Sequence, residues 1–139
     1  MEWKKRFKQA IVIDNGTYSI KAGVSGQEQP LCIMRNLVGD FIHKAIPGTE
    51  HFDKHSVIGD GIKNENRSVL KLRRPMERGQ VTDWDMMSEV WSHIFFEKLK
   101  DEVKPDEEAV LITESILNPK GNREKAAEIL FETFNIPAI

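Results

Sequence analysis

The chain has 139 residues, 40% of them apolar and 30% charged, with a net charge of −2. This balance suits one ordinary globular domain, excludes an intrinsically disordered chain, and gives no global reason to expect nucleic acid or an acidic membrane as partner. Cys32 is the only cysteine, which excludes an internal disulfide and fits a reducing compartment.

No apolar run approaches the ~20 residues that a membrane-spanning helix needs. The N-terminus, Met1 to Gln9, is basic and is not followed by the apolar stretch of a signal peptide. A cytoplasmic address is therefore the expectation. Ala10 to Ile13 is a short apolar run that suits a strand buried on both faces. Asp14-Asn15-Gly16 breaks it with turn chemistry. Ile20, Ala22 and Val24 then alternate with polar or small residues, as in a half-buried strand. After a turn over Gly26 to Pro30, Leu31 to Met34 gives a third strand, so the chain opens with a three-stranded meander.

Residues 40–71 carry His43, His51 and His55, many charges, Pro47 and three glycines, with strand character only at Val57-Ile58 and Val69 to Leu72. They read as a small inserted subdomain with a polar loop. Thr82 and Asp85 have capping-box spacing. Trp84, Met87, Trp91, Ile94 and Phe95 follow at helical intervals. Ala109 to Ile112 is another continuous apolar run, again read as a buried strand. Asn118-Pro119 predicts a helix start, with asparagine as N-cap and proline at the first helical position. Ala126, Ala127, Leu130, Phe131 and Phe134 form the apolar face of that helix, and Pro137 ends it. Ala138-Ile139 reads as the beginning of a further strand returning to the sheet. Ala127, Leu130, Phe131 and Phe134 are expected to lie uncovered beside it. The predicted class is α/β.

The sharpest chemical feature is Asp14-Asn-Gly-Thr-Tyr-Ser-Ile-Lys21 between two strands. A tight glycine turn points backbone N–H groups at an anion from close range. The Thr17 hydroxyl adds a donor and Lys21 a positive charge. Asp14, at a strand end, suits the water shell of a magnesium ion, which keeps several waters when protein-bound. The same octapeptide also reads as an ordinary Asn-Gly hairpin turn with a solvated lysine.

Four other groupings have plainer readings. His51 and His55, with Asp53 between them, have metal-ligand spacing only on a helix, which their surroundings disfavour. Lys71, Arg73 and Arg74 read as a solvated basic face. Trp84, Trp91 and the Phe95-Phe96 pair read as core. Glu114 is placed to pair with Arg123.

Ile13-Asp-Asn-Gly-Thr17 followed by Lys21-Ala-Gly23 resembles the first phosphate loop of actin and the actin-related proteins. Val57-Ile-Gly-Asp60, Arg74-Pro-Met-Glu-Arg-Gly79, Val81-Thr-Asp-Trp-Asp85, Leu111-Ile-Thr-Glu114, Leu117-Asn-Pro-Lys-Gly-Asn-Arg-Glu124 and Phe131-Glu-Thr-Phe-Asn-Ile-Pro-Ala138 resemble later actin segments, in the same order. The resemblance runs from about residue 10 to the last residue. It implies the ribonuclease-H-like fold of the actin and Hsp70 ATPases, here incomplete. Residues 1–39 and 72–139 would form the first subdomain and residues 40–71 the inserted one.

The resemblance also implies an ATP or ADP site with Mg2+. Asp14, Asn15, Gly16, Thr17, Tyr18 and Lys21 would be its contacting set on this chain, with Asp14 facing the metal through water. The family's second phosphate loop and its water-positioning glutamine match nothing here, so no catalytic residue is assigned. The implied partners are the rest of an actin-like chain, other actin-fold subunits or a multi-subunit complex. The implied address is the cytoplasm and its cytoskeleton.

Three departures point to a divergent actin-related protein. Tyr18 stands where actins usually carry glycine, and a positive φ there would be costly for tyrosine. Lys4, Lys5, Arg6 and Lys8 replace the acidic N-terminus that meets myosin. The loop from Asp40 to Ser56, placed like the one that joins neighbouring actin subunits, shares almost no residues with conventional actin. A non-catalytic actin-fold scaffold is the alternative reading. A short paralogue that caps or sequesters longer relatives is a third.

Overall fold

The computed structural model describes residues 7–42 and 56–139. The N-terminal lysines and arginine up to Arg6, and His43, His51, Asp53 and His55, lie outside the described residues. In chain order the strands are β1 (Ala10–Asn15), β2 (Ser19–Val24), β3 (Cys32–Arg35), β4 (Val38–Phe41), β5 (Ser56–Ile58), β6 (Leu70–Arg73), β7 (Met76–Glu77) and β8 (Gln80–Val81). Helix α1 (Trp84–His93), strand β9 (Ala109–Ile112) and helix α2 (Lys120–Glu128) complete the order. Each helix runs on into a wider π turn, Ile94–Lys98 and Ile129–Thr133.

The expected meander forms. β1, β2 and β3 pair antiparallel in sequence order, and β9 adds parallel to β1, giving the four-stranded order β3-β2-β1-β9. Alternation then sorts the side chains. Ile11, Ile13, Ile20, Ala22, Val24, Cys32, Met34 and Val110 are buried on one face. Against them pack Met87, Val90 and Trp91 of α1, Ile94 and Phe95 of its π turn, and Leu130 and Phe134 beyond α2. The Phe95 and Phe134 rings meet edge to face at 5.1 Å.

The opposite face is open among the described residues. The register places Val12, Asp14, Lys21, Ile33 and Leu111 on it, and Ile33 and Leu111 are 62% and 63% exposed. The reading of β1 and β9 as buried on both faces is thereby corrected. A continuous apolar run marks a strand that can be covered twice, but it does not supply the second layer.

The segment after α2 is also corrected. Leu130 and Phe134 are buried, packed into the core with Phe95, and Phe131 is 43% exposed. Asn135, at φ 55°, ends this helix before Pro137 is reached, with the Ile136 N–H donating to the Leu130 carbonyl. The Val110 N–H donates to the Ala138 carbonyl at 2.9 Å, but residues 138–139 form no strand.

Both helix starts differ from expectation by one or two residues. Asp83, not Thr82, caps α1, its carboxylate accepting from Met86 N–H at 2.9 Å. Thr82 is held by the Pro75 carbonyl instead. α2 begins at Lys120, and Asn118 spends its amide on Glu114 and Asn122 rather than on the helix amides.

A second sheet, β5-β4-β6, spans Val38 to Arg73 and has its own small core of Leu37, Ile62 and Leu70. β4 was not anticipated, since Gly39-Asp40 interrupts its apolar pattern. A two-residue hairpin, β7-β8, turns through Arg78 at φ 50° and Gly79 at φ 79°. Two positive φ values in succession define the primed turn that matches strand twist.

Candidate functional site

The pairing of β1 with β2 extends to Asn15 opposite Ile20, so Gly16-Thr17-Tyr18-Ser19 must reverse the chain. A Cβ on Gly16 would sit 2.4 Å from the Ser19 carbonyl oxygen, so this turn closes only around glycine. Its carbonyls are turned away from solvent. Asn36, wholly buried, donates from Nδ2 to the Gly16 carbonyl and from its backbone N–H to the Tyr18 carbonyl, both at 2.9 Å. The Thr17 hydroxyl accepts from Gly79 N–H at 2.8 Å, tying the turn to the β7-β8 hairpin. Among the described residues, the N–H groups of Thr17 and Tyr18 have no hydrogen-bond partner. With the carbonyls engaged behind the turn, two adjacent donors are left over, the arrangement that makes an anion-binding concavity.

Tyr18 is not among the residues at positive φ, which corrects the expected strain. Its ring is 72% exposed and lies against the Arg74 guanidinium, 4.9 Å from Cζ to centroid.

Asp14 and Lys21 are register partners on the open face. Lys21 Nζ is 3.3 Å from Asp14 Oδ2, and both side chains remain about half exposed. Asp14 Oδ1 accepts from the Thr113 hydroxyl at 3.1 Å, and the same hydroxyl oxygen accepts from Asn15 N–H at 3.0 Å. Thr113 follows β9 directly and was not singled out from the sequence. Its signal was positional, since a hydroxyl one residue past a strand parallel to β1 falls beside the residue that ends β1. One carboxylate oxygen is thus fixed and the other faces the lysine. A carboxylate oriented in this way and open to solvent suits the hydrated magnesium ion expected here.

Asn15 points the other way. Its Oδ1 accepts from Trp91 Nε1 at 3.2 Å and its Nδ2 lies 3.8 Å from Met87 Sδ. Of the six expected residues, Asp14, Gly16, Thr17, Tyr18 and Lys21 gather at one end of the sheet, while the Asn15 side chain anchors that end to α1.

Beyond β9, Glu114 and Arg123 form the expected pair. Arg123 Nε reaches both carboxylate oxygens at 3.0 and 3.1 Å, and Nη2 adds a further contact to Oε1. Arg123, then Asn118, donate to Glu114 and hold its carboxyl below the ordinary carboxylate range. Between them the chain turns through Leu117 at φ 60°, with Ile116 and Leu117 each 93% exposed.

The basic cluster divides. Arg73 pairs with Asp40 at 2.6 Å and lies 3.7 Å from Asp83. Arg74 turns to Tyr18 and donates to the Asn36 carbonyl at 3.3 Å. Burial raises the Cys32 thiol, which leaves it a packing residue. Behind the turn lies a cavity of about 80 Å³ lined by Asn15, Trp84, Trp91, Thr113 and Arg123. Small-molecule sites typically enclose roughly 300–1,000 Å³, so this cavity is too small to be one. The larger groove, about 860 Å³ between β5 and α1, contains none of the turn residues. No helix among the described residues is long and apolar enough to cross a membrane.

The Actin family model matches residues 6–139. An "Actin-like protein" of Neurospora crassa is 43% identical over 130 residues, which is 93% of this chain and 33% of that relative. The chain therefore spans about a third of the length of the curated relative it matches. With a family model that covers all but its first five residues, the chain belongs to the actin family.

Proposed function

We propose that this segment supplies the first phosphate-binding loop of an ATP-binding, actin-related cytoskeletal protein. The observation that carries the reading is the pair of amides at Thr17 and Tyr18 without a partner among the described residues, presented by a turn that only glycine can close, with Lys21 and Asp14 beside it. These residues fit the phosphates of ATP or ADP. The amides of Thr17 and Tyr18 donate to phosphate oxygens, Gly16 permits the close approach, and Lys21 balances their charge. Asp14 is suited to the water shell of Mg2+, which supplies charge neutralisation when bound. Thr113 orients Asp14, and Asn15, through Trp91, fixes the end of β1 on which the turn stands.

The two separate sheets support the ribonuclease-H-like arrangement, with residues 1–39 and 72–139 as a first subdomain and residues 40–71 as an insertion. In this reading the rest of an actin-like chain covers the open face at Ile33 and Leu111 and provides the second wall of the cleft. Other actin-fold subunits are its partners in the cytoplasm and cytoskeleton. Hydrolysis depends on positioning an attacking water, and that work belongs to the rest of the chain.

Titration calorimetry of the full-length protein with Mg-ATP tests the proposal. Saturable binding that Gly16→Val abolishes is expected. Absence of both ATP and ADP affinity would overturn it in favour of the non-catalytic scaffold, the reading that the exposed Tyr18 on the loop favours.

A further inference from the structure

Tyr18 occupies the tip of the loop, and its side chain has a specific partner. Three residues distant in sequence meet there. Asn36 is wholly buried, yet its amide and backbone N–H serve the Gly16 and Tyr18 carbonyls. Arg74 donates through Nη1 to the Asn36 carbonyl and lays its guanidinium against the Tyr18 ring. Arg74 has no carboxylate partner among the described residues, unlike its neighbour Arg73. Asn36 Oδ1 is buried with no partner among the described residues. A buried acceptor without a donor is costly, so Asn36 is not placed there by its own hydrogen-bonding needs. The bonds it does make hold the Gly16 and Tyr18 carbonyls inward, and the amides of Thr17 and Tyr18 are left without a partner among the described residues.

We infer that Tyr18, Asn36 and Arg74 form a brace that sets the nucleotide affinity of the loop, with Tyr18 and Arg74 as positioning residues. The inference rests on the nucleotide reading above. A non-glycine residue at the tip is compatible with the loop because its ring is stacked on a fixed cation rather than folded over the amides. Arg74 serves twice: it fixes the ring, and it places beside the loop a positive charge that no carboxylate among the described residues neutralises. The chemistry recognised is a polyphosphate anion.

The test uses full-length protein and Mg-ATP. Tyr18→Phe keeps the ring and should bind within about twofold of the parent. Tyr18→Leu and Arg74→Gln remove the stack and should each weaken binding roughly twofold to fivefold, the range of an exposed cation–π contact. The double variant should weaken it no more than the stronger single one. Tyr18 is the only tyrosine in this segment. Its ring resonance, assigned by comparison with Tyr18→Phe, should shift in Arg74→Gln without nucleotide, and hydrogen exchange at the Asn36 amide should accelerate.

Several results would overturn the inference while leaving the nucleotide reading intact. These are parent-like affinity in Tyr18→Leu and Arg74→Gln, strictly additive losses, or an unchanged ring resonance. A parent protein that binds no nucleotide would overturn the nucleotide reading, and the affinity claim with it. The resonance and exchange measurements would still decide whether the brace exists.

Discussion

The two faces of the four-stranded sheet share one backbone and differ in almost everything else. On one face, isoleucines 11, 13 and 20 and Met34 meet Trp91, Ile94, Phe95 and Leu130, all of them fully or almost fully buried. On the other, Ile33 and Leu111 stand more than half exposed within a register that also carries Asp14 and Lys21. The first face is a finished core, and the second is a surface with charged groups at one end and apolar groups along the rest. The difference shows that the helices which follow β8 and β9 suffice for one layer only. The β1–β2 turn stands at the margin between the finished face and the open one. Asn15 looks back into the core, and Asp14 looks out onto the open face.

The largest expected effect breaks the finished face. Trp91→Ala should destabilise the protein by about 3–5 kcal/mol in denaturant unfolding, the cost of a large core cavity. In residues 1–139 alone, Leu111→Ala on the open face should stay within about 0.5 kcal/mol of the parent. Comparable losses at the two positions would mean that the open face is covered after all. The second effect sharpens the contrast. An exposed apolar sheet face promotes association, so residues 1–139 should bind an apolar dye and self-associate. Ile33→Thr combined with Leu111→Thr should reduce both while leaving the melting temperature in place. Unchanged sedimentation in that variant would move the sticky surface elsewhere.

A smaller effect probes the joint between core and loop. Trp91→Phe keeps most of the packing and removes the indole N–H that donates to Asn15. It should cost about 1 kcal/mol and loosen the end of β1, read as faster exchange at the Asn15 amide. The smallest concerns Glu114, whose carboxyl Arg123 and Asn118 hold below the ordinary range. A depressed folded-state pKa means that the contribution is complete above the unfolded carboxylate value and is lost as pH falls through the folded one. The pair should therefore fail only in acid. In Arg123→Gln the Glu114 carboxyl, followed by carbon-detected NMR, should titrate higher than in the parent, and an unchanged titration would show the pair to be unimportant.

Much of the finished face was legible because alternation and helical spacing are local signals. The strands at Ala10, Ser19, Cys32 and Ala109 and the apolar stripe from Met87 to Phe95 were all readable from residue types alone. The β1–β2 turn was legible as Asp14-Asn-Gly-Thr, since a glycine between two strands implies a tight turn. Its supports were not. Asn36, Thr113 and Arg74 reach it from 18 to 99 residues away, counted from Tyr18 and from Asp14, and no local pattern marks a side chain by what a distant turn requires. β4 was hidden by Gly39-Asp40. The exposure of Leu111 was misread because four apolar residues in a row give strand character without saying how many layers lie over it. The burial of Leu130 and Phe134 was missed because helical spacing names an apolar face without saying what packs against it, here Phe95 and the rest of the core.

The central claim is that the β1–β2 turn holds phosphate. The most direct test is an experimentally determined structure of the full-length protein with Mg-ATP or Mg-ADP bound. The account predicts phosphate oxygens within hydrogen-bond distance of the Thr17 and Tyr18 amides, Lys21 turned toward them, and Asp14 meeting the metal through water. A nucleotide bound away from this turn, or the turn's amides facing only solvent in a nucleotide-loaded protein, would contradict it.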